Sequence, residues 1–421
     1  MPGQTEPVHT MARLGGALVA LWAGAAVVIF FSQADLWLYR SGLSPLRPTV
    51  LYLALSVPLA LVVLARQTLR PDGGGQILRL LAGTAPVWLP WLALTGSAAL
   101  ATAFAAGPPA EHLPYLALYG FDLGALGLAL LLPLLPSVRH VWPVALVVGL
   151  GVIVLAIAAD VSQPGTFSRV LSRAAGPSGE PNAAAFLLVS GAALTLRYER
   201  FRGRDALLLA AVAVAMLATL SRGGFLLLGL LVVFYLAGLR ANLAREAGPR
   251  RPSRGLRLAG VAALALALAL AIVAAGRSHG GLFDLAKTQE RLAMFSGGDS
   301  FLADSSDRRI IFTTYLMAIA QAPWLGHGPG YVYGEPKGPH NRYLHEWVSG
   351  GLPGLISYLV LLAGAGLFFA ARGDRRGLAF VVLLAAWGLF SHTYLDYRAV
   401  LLPLGLAAGT AWLRCEAPAG E

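Results

Sequence analysis

The segment GPHNRYLHEW, residues 338–347, places two histidines, an arginine and a glutamate directly before a long apolar run. Imidazole titrates near neutral pH, with an ordinary pKa of about 6.5, so His340 is suited to accept a proton from a hydroxyl group. The alternative is a polar residue satisfied by local hydrogen bonds. His340 and His345 are five residues apart and would diverge by roughly 140° on a helix, so we expect no metal site. Arg342 and Glu346, four residues apart, predict an ordinary ion pair.

A second candidate is Arg222, in the segment TLSRGGFLLLG. Two apolar runs meet there with almost no loop between them. The free N–H groups at the start of the next helix, together with Ser221, form a ready anion-binding site. Gly223 and Gly224 let another group approach the backbone closely. The alternative is an interfacial anchor whose charged head reaches water.

A third candidate is the pair Arg308–Arg309, in the segment DRRIIFTTYLMAIAQAP. The apolar spacing predicts an amphipathic helix with both arginines in its first turn, where cations oppose the helix dipole. A local rule broken without compensation marks a candidate functional position. Arg308 lies four residues before Phe312 of the apolar stripe and is predicted to point inward, whereas Arg309 lies off the stripe. The alternative is that Asp304 or Asp307 pairs with these arginines.

Three further segments carry weaker signals. PWLGHGPG, residues 323–330, predicts a tight turn; it lacks the phosphate-loop pattern and follows no strand, so it does not indicate nucleotide binding. In SGEPNAAAF, Asn182 either contacts substrate or merely follows Pro181 at a helix start. In SHTYLDYR, residues 391–398, the polar residues Tyr394, Asp396 and Arg398 are interpreted as an aromatic belt with one ion pair, although they could also contact a sugar or phosphate.

The elements that must position these residues are membrane helices. The 421-residue chain is 57% hydrophobic and 13% charged, with a mean hydropathy of +0.67. Its apolar runs of about 20 residues match the hydrocarbon thickness of a bilayer and lack the two-residue alternation of a barrel strand. The sequence therefore predicts an all-α polytopic membrane protein. Its single cysteine, Cys415, can form no internal disulfide.

About twelve spans and one large loop are predicted. We divide the chain into residues 1–276 with spans 1 to 9, a loop domain at 277–349 with amphipathic helices, and residues 350–421 with the last three spans. The first run is interpreted as a retained span, since no signal-cleavage motif follows it. The spans are predicted near 14–34, 49–66, 84–105, 114–136, 140–160, 183–197, 205–220, 223–239, 257–276, 350–371, 377–391 and 398–414.

The arginines predict the sidedness. The net charge of +11 comes mainly from arginines in short loops, which follows the positive-inside rule and argues against nucleic-acid binding. With a cytoplasmic N-terminus, about 19 cations lie inside and about 6 in short outside loops. Both termini are therefore predicted to be cytoplasmic, and the large loop to be periplasmic. The short outside loops hold Arg40, Arg47, Arg169, Arg173, Arg222 and Arg398.

Four segments together resemble the O-antigen ligases and the related O-antigen polymerases. These are TLSRGGFLLL, PNAAA, the glycine turn about eighteen residues after Arg308, and HNRYLHEWVSGGLPGL. Phe312 replaces a tryptophan that is common in the family, and Glu180 stands where the family often has asparagine. The resemblance covers about residues 178–360 by motif and the whole chain by topology.

The resemblance implies a glycosyltransferase in the bacterial inner membrane with a periplasmic active site. The donor would be a glycan linked to undecaprenyl pyrophosphate, the acceptor the lipid A-core, and no cofactor or metal would be needed. On this resemblance Arg222 and Arg308 would bind the pyrophosphate, and His340 would be the general base of an inverting transfer. Weaker substrate contacts are assigned to Ser221, Arg309, Asn341, Tyr343 and Asn182.

Two alternatives remain open at the level of sequence. An O-antigen polymerase or a protein O-oligosaccharyltransferase would use the same donor and differ only in the acceptor. A transporter or flippase would instead place ionisable residues at the centres of its spans. Here the charges cluster at one membrane face, with Asp122 as the main exception.

Overall fold

The computed structural model describes residues 6–105, 108–170, 173–245, 299–393 and 398–416. Side chains within helices at 6–13, 109, 242–245 and 299–308 fall outside that description. The described residues form helices and contain no strand. The helices are α1 Glu6–Phe31, α2 Ala34–Arg40, α3 Pro48–Thr68, α4 Gly73–Gly83, α5 Ala85–Phe104, α6 Pro109–Leu131, α7 Pro136–Ser162, α8 Pro181–Thr195, α9 Gly203–Thr219, α10 Arg222–Arg245, α11 Asp299–Gln321, α12 Tyr331–Gly334, α13 Arg342–Ala371, α14 Arg375–Trp387 and α15 Arg398–Glu416.

Every predicted span in the described part of the chain coincides with a helix. Seven of these helices are long and apolar enough to cross a membrane. The chain is therefore a multi-pass helical membrane protein, as predicted. Helices α8, α9 and α14 are shorter, at 15, 17 and 13 residues. The predicted span at 257–276 lies outside the described residues, so the count of twelve stays a prediction, as do the periplasmic placement of the large loop and the three-part division of the chain.

The bundle has two ends, which differ in the loops that meet there. At one end, called here the site end, Arg398 pairs with Asp35 at 3.1 Å and Arg40 donates to the Ser178 carbonyl at 2.8 Å. At the opposite end, Arg372 donates to the Gly83 carbonyl at 3.1 Å. The arginines assigned to outside loops from sequence and described here lie at the site end. Which membrane face this end occupies stays a prediction.

Helix α13 is broken where it leaves the site end. Gly351 has φ 64° and ψ −163° inside the helix, so the chain kinks there. The turn at 323–330 fills the break, because His327 N–H donates to the Val348 carbonyl at 2.8 Å and Gly328 N–H to the Ser349 carbonyl at 3.0 Å. A Cβ at Gly351 would lie 2.2 Å from the Trp324 carbonyl oxygen. The glycine-rich turn thus packs backbone against backbone, in line with the argument against a nucleotide loop.

Helix α11 corrects one expectation. It begins at Asp299, so Arg308 and Arg309 lie in its third turn and the argument from the helix dipole was wrong. Its buried face is formed by Tyr315, Ala318 and Ile319, while Phe312 is 47% exposed. This face packs against α12 and the first turns of α13, where its partners are Val332, Leu344 and Val348.

Candidate functional site

The turn between α9 and α10, residues 220–224, is called here the Arg222 turn, and it is both strained and capped. Leu220 ends α9 in the left-handed region at φ 48°, a conformation that costs a β- or γ-branched residue about 1 kcal/mol. Ser221 then caps α10, since its Oγ accepts the N–H of Gly224 at 3.2 Å. Arg222 is the first residue of α10 and is half-buried. The turn therefore presents a guanidinium group at a helix N-terminus, where the N–H dipoles also favour an anion.

Asn182 joins the start of α8 to this turn. Its Oδ1 accepts a hydrogen bond from Ser221 Oγ at 3.0 Å and another from Arg173 Nη2 at 2.8 Å. Arg173 Nε in addition donates to the Thr219 carbonyl at 2.8 Å. The structure thus brings Asn182, which was predicted separately, to Ser221 and the Arg222 turn, and adds Arg173. Sequence reasoning treated Arg173 only as a loop charge, because nothing in the sequence between α7 and α8 relates it to Thr219.

His340 lies in a second strained turn directly before α13. This turn, residues 338–341, is called here the His340 turn. Its φ is 48°, and its side chain is exposed. Asn341 caps α13, since its Oδ1 accepts the Leu344 N–H at 3.1 Å. Tyr343 donates its hydroxyl proton to the Ala385 carbonyl at 2.9 Å. Both residues therefore have structural contacts, and their assignment to substrate stays a prediction.

A buried ion pair supports this turn. Arg342 Nε lies 2.5 Å from Glu346 Oε1, and the side chains are 1% and 2% exposed. The pair was predicted as an ordinary ion pair, but it is buried, and burial removes the water that weakens exposed contacts of this kind. Tyr119 of α6 donates to Glu346 Oε2 at 3.1 Å, and Arg342 Nη1 donates to the His392 carbonyl at 2.5 Å. The network joins α6, α13 and the segment after α14.

His392 is the residue at this turn that the sequence did not single out for chemistry. Its ring centroid lies 5.6 Å from that of His340 and 6.0 Å from that of His345. Burial, together with the charges of His340 and Arg342, lowers the pKa of His392 to about 3. His392 is therefore neutral at the pH where an imidazole base would act, and it adds no positive charge beside His340.

Lowering the pH from 7.5 to 5 is expected to destabilise the fold partly through His392. The unfolded imidazole binds a proton below its ordinary pKa of about 6.5, whereas the folded one stays neutral until a pKa of about 3. The unfolded state binds more protons between these values, so stability falls as the pH falls, by about 2 kcal/mol at pH 5. Thermal melting at both pH values should show a smaller drop for His392→Gln than for the wild type. Equal drops would contradict this origin.

Both turns lie beside one segment, residues 387–392. A Cβ at Gly223 would lie 3.0 Å from Cζ3 of Trp387, so the Arg222 turn packs directly on the start of this segment. Arg342 N–H donates to the Gly388 carbonyl of the same segment at 2.7 Å. The Arg222 and His340 turns thus lie at the same end of the bundle, close to the same few residues.

The remaining predicted positions are less defined. Arg309 is exposed on α11. The side chain of Arg308 lies outside the described part of the structure, so its inward orientation and its role stay predictions. Within the described residues, no three His, Cys, Asp or Glu side chains are grouped so that they could hold a metal ion.

Comparison with known families identifies one match. Residues 206–359 match a family model described as O-antigen ligase, over a little more than a third of the chain. The matched range contains the Arg222 turn, α11, the glycine-rich turn and the His340 turn. The family resemblance predicted from the sequence is therefore confirmed over this range. Comparison with the curated proteins finds no match.

Proposed function

Because residues 206–359 match the O-antigen ligase family, we propose that this membrane protein transfers a glycan from undecaprenyl pyrophosphate to the lipid A-core. The family match supports an activity of the O-antigen ligase or polymerase type. The donor, the acceptor and the mechanism are our proposal. We also propose that the active site lies at the site end of the bundle and faces the periplasm. The protein would then lie in the inner membrane with both termini in the cytoplasm.

One observation carries the proposal: the Arg222 turn and the first residues of α13, directly after His340, both contact residues 387–392. Glycosyl transfer from a lipid pyrophosphate needs a cationic site for the leaving group and a base for the attacking hydroxyl. The cationic site and the base must therefore both lie close to the same anomeric carbon, at which the leaving group departs and the hydroxyl attacks. More than a hundred residues separate the two turns in the sequence, yet the fold sets them beside the same short segment.

The Arg222 turn is suited to the leaving group. Cleavage of the glycosidic bond increases the negative charge on the pyrophosphate, so cations that bind it stabilise the transition state more than the ground state. A guanidinium group 4 Å from one such charge contributes about 4 kcal/mol of attraction at an effective dielectric of about 20. Its planar fork matches two phosphate oxygens. Arg308 is assigned the same role, and Arg173 is linked through Asn182 to Ser221, the residue before Arg222.

His340 is assigned as the general base. It would take the proton from the acceptor hydroxyl as the oxygen attacks the anomeric carbon opposite the pyrophosphate, which inverts that carbon. The exposed imidazole can reach a substrate in the aqueous phase. His392, whose ring lies beside that of His340, is neutral, so no second imidazolium charge lies next to the proposed base. The apolar helices would hold the prenyl tail.

The acceptor decides between a ligase and a polymerase, and one assay tests it. Purified protein is supplied with the lipid-linked glycan and either lipid A-core or a second lipid-linked glycan. Transfer to lipid A-core is expected. Chain growth on the second glycan alone would replace the ligase by the polymerase, and a protein acceptor would indicate an oligosaccharyltransferase. Absence of all transfer, with uptake of a solute or lipid, would favour the transporter.

Replacing Arg222 by alanine is expected to lower transfer at least tenfold, because a loss of about 1.4 kcal/mol of transition-state binding is a factor of ten. Lysine should restore only part, since it lacks the planar fork. Arg308→Ala is also expected to lower transfer at least tenfold. The measurement is kcat/KM with the lipid-linked donor. Arg240→Ala is the matched control, because Arg240 is exposed on the same helix at the opposite end. A wild-type rate for Arg222→Ala would remove it from the proposed site.

A further inference from the structure

A cavity of about 240 Å³, with both polar and apolar walls, lies at the site end, apart from the two turns described above. It is formed where α1, α2 and α15 meet. This volume is below the ~300–1,000 Å³ typical of a pocket for a whole small molecule. It therefore suits one unit of a larger ligand that extends beyond it. Its polar lining consists of Gln33, Asp35, Arg40 and Arg398, with Phe30 forming part of the wall.

Gln33 is the residue that points to a ligand. Its side chain is 5% exposed, and its buried Oε1 has no hydrogen-bond partner. Buried polar atoms are almost always hydrogen-bonded, so an orphaned carboxamide oxygen that lines a cavity requires an explanation. The backbone adds a second anomaly, because Gln33 lies in the left-handed region at φ 58°. Strain at a non-glycine residue persists where the surroundings hold it, and it concentrates at binding sites.

The charges around the cavity fit a hydroxylated ligand. Asp35 is 2% exposed and pairs with Arg398 at 3.1 Å. Arg398 Nε, also buried, has no hydrogen-bond partner. A carboxamide oxygen, a carboxylate and guanidinium donors together can satisfy hydroxyl groups, which both donate and accept. With Arg40 at the rim the lining carries one excess positive charge, which also accepts an anionic substituent.

The cavity is joined to the candidate active site by a short path. Arg40 Nη1 donates to the Ser178 carbonyl at 2.8 Å, and Gly179 has no side chain to obstruct it: a Cβ there would lie 2.6 Å from Arg40 Nη1. Four residues after Ser178, Asn182 bonds to Ser221 in the Arg222 turn. The segment 176–182 therefore connects the wall of the cavity with the Arg222 turn through hydrogen bonds.

We propose that the cavity lined by Gln33, Asp35, Arg40 and Arg398 is a subsite for one sugar unit of the glycan substrates. This rests on the proposed glycosyl transfer and goes beyond it by giving the enzyme a contact remote from the reacting atoms. The sugar belongs either to the donor glycan or to the lipid A-core. Both sources present the same hydroxyl chemistry.

The test measures binding of each source to the purified full-length chain in lipid nanodiscs. The probes are lipid A-core, the undecaprenyl-pyrophosphate-linked glycan and phosphatidylglycerol, each without the others, so that no turnover occurs. Gln33→Leu should raise the Kd of one glycan probe about tenfold and leave the other two unchanged. Gln67→Leu is the matched control: Gln67 is also buried with an unpartnered Oε1, but it lies near the end of α3 at the opposite end.

A second variant keeps the test independent of folding. Gln33→Gly removes the side chain and relieves the left-handed strain. It should raise the melting temperature while weakening the same glycan probe, a pair of opposite changes that a purely structural role would not produce.

The outcomes separate the subsite from the proposed function. If the wild type transfers glycan but both Gln33 variants bind both glycans with wild-type Kd, the subsite is wrong and the transfer stands. If the variants lose phosphatidylglycerol alone, the cavity holds a lipid headgroup and the sugar assignment is overturned. If the wild type binds neither glycan, the subsite and the proposed function both fail.

Discussion

Replacing His340 by alanine is expected to lower glycan transfer by about 10²- to 10⁴-fold, the range that a general base contributes. The loss should appear mainly in kcat, because the proton leaves the acceptor hydroxyl only as the bond forms. The measurement is kcat and KM of transfer from the lipid-linked donor to lipid A-core. His140→Ala is the matched control, since His140 is exposed on α7 at the opposite end of the bundle.

Two further variants separate chemistry from backbone strain at this position. His340 has φ 48°, so alanine also changes the stability of the turn. Asparagine tolerates the left-handed region and glycine relieves it, and neither can act as a base near neutral pH. We expect both variants to fold and both to be as slow as His340→Ala. Substantial transfer by His340→Gly would show that the residue only shapes the turn.

Replacing Glu346 by glutamine is expected to destabilise the fold by about 3–5 kcal/mol, because it leaves the buried charge of Arg342 without this counter-ion. The free energy of unfolding in detergent, followed by loss of helix signal, measures the effect. The double variant Arg342→Met, Glu346→Leu removes both charges and should recover much of the loss. Equal instability of the single and double variants would contradict the argument.

An exposed ion pair provides the contrast. Arg79 and Asp72 form an ion pair with side chains 55% and 72% exposed. Asp72→Asn should destabilise the fold far less than Glu346→Gln, because water and salt screen such exposed pairs. Glu346→Gln, unlike Asp72→Asn, should also slow transfer. Arg342 donates a hydrogen bond to the His392 carbonyl, and the His392 ring lies 5.6 Å from that of His340.

Backbone strain is concentrated at one end of the molecule. Among the described residues, the non-glycine residues with positive φ are Gln33, Leu220 and His340. Each lies in a turn at the site end, and each borders a position for which a ligand or a chemical role is proposed. A strained residue persists only where neighbouring contacts over-determine it. The site end therefore holds its polar groups in fixed places instead of leaving them on loose loops.

The sequence by itself determined the helices and the family resemblance over residues 206–359. Apolar runs of bilayer length specify spans wherever they occur, because backbone in hydrocarbon must satisfy its own hydrogen bonds. The predicted spans therefore matched helices throughout the described chain. Motif order was also sufficient for the resemblance that the family match over residues 206–359 confirmed. Helix starts were less well predicted: α11 begins at Asp299 and α13 at Arg342, because polar first turns carry no apolar signal.

Only the tertiary structure decided which polar groups meet. Arg173 and Asn182 join the Arg222 turn, and Tyr119 reaches Glu346 across 227 residues of sequence. No periodicity records such contacts, since they depend on how helices pack side by side. Burial was decided in the same way: the spacing of Arg342 and Glu346 predicts a pair on any helix, but only packing excludes water from it. The cavity at Gln33 also depends on helix packing, since it lies where the ends of α1, α2 and α15 meet.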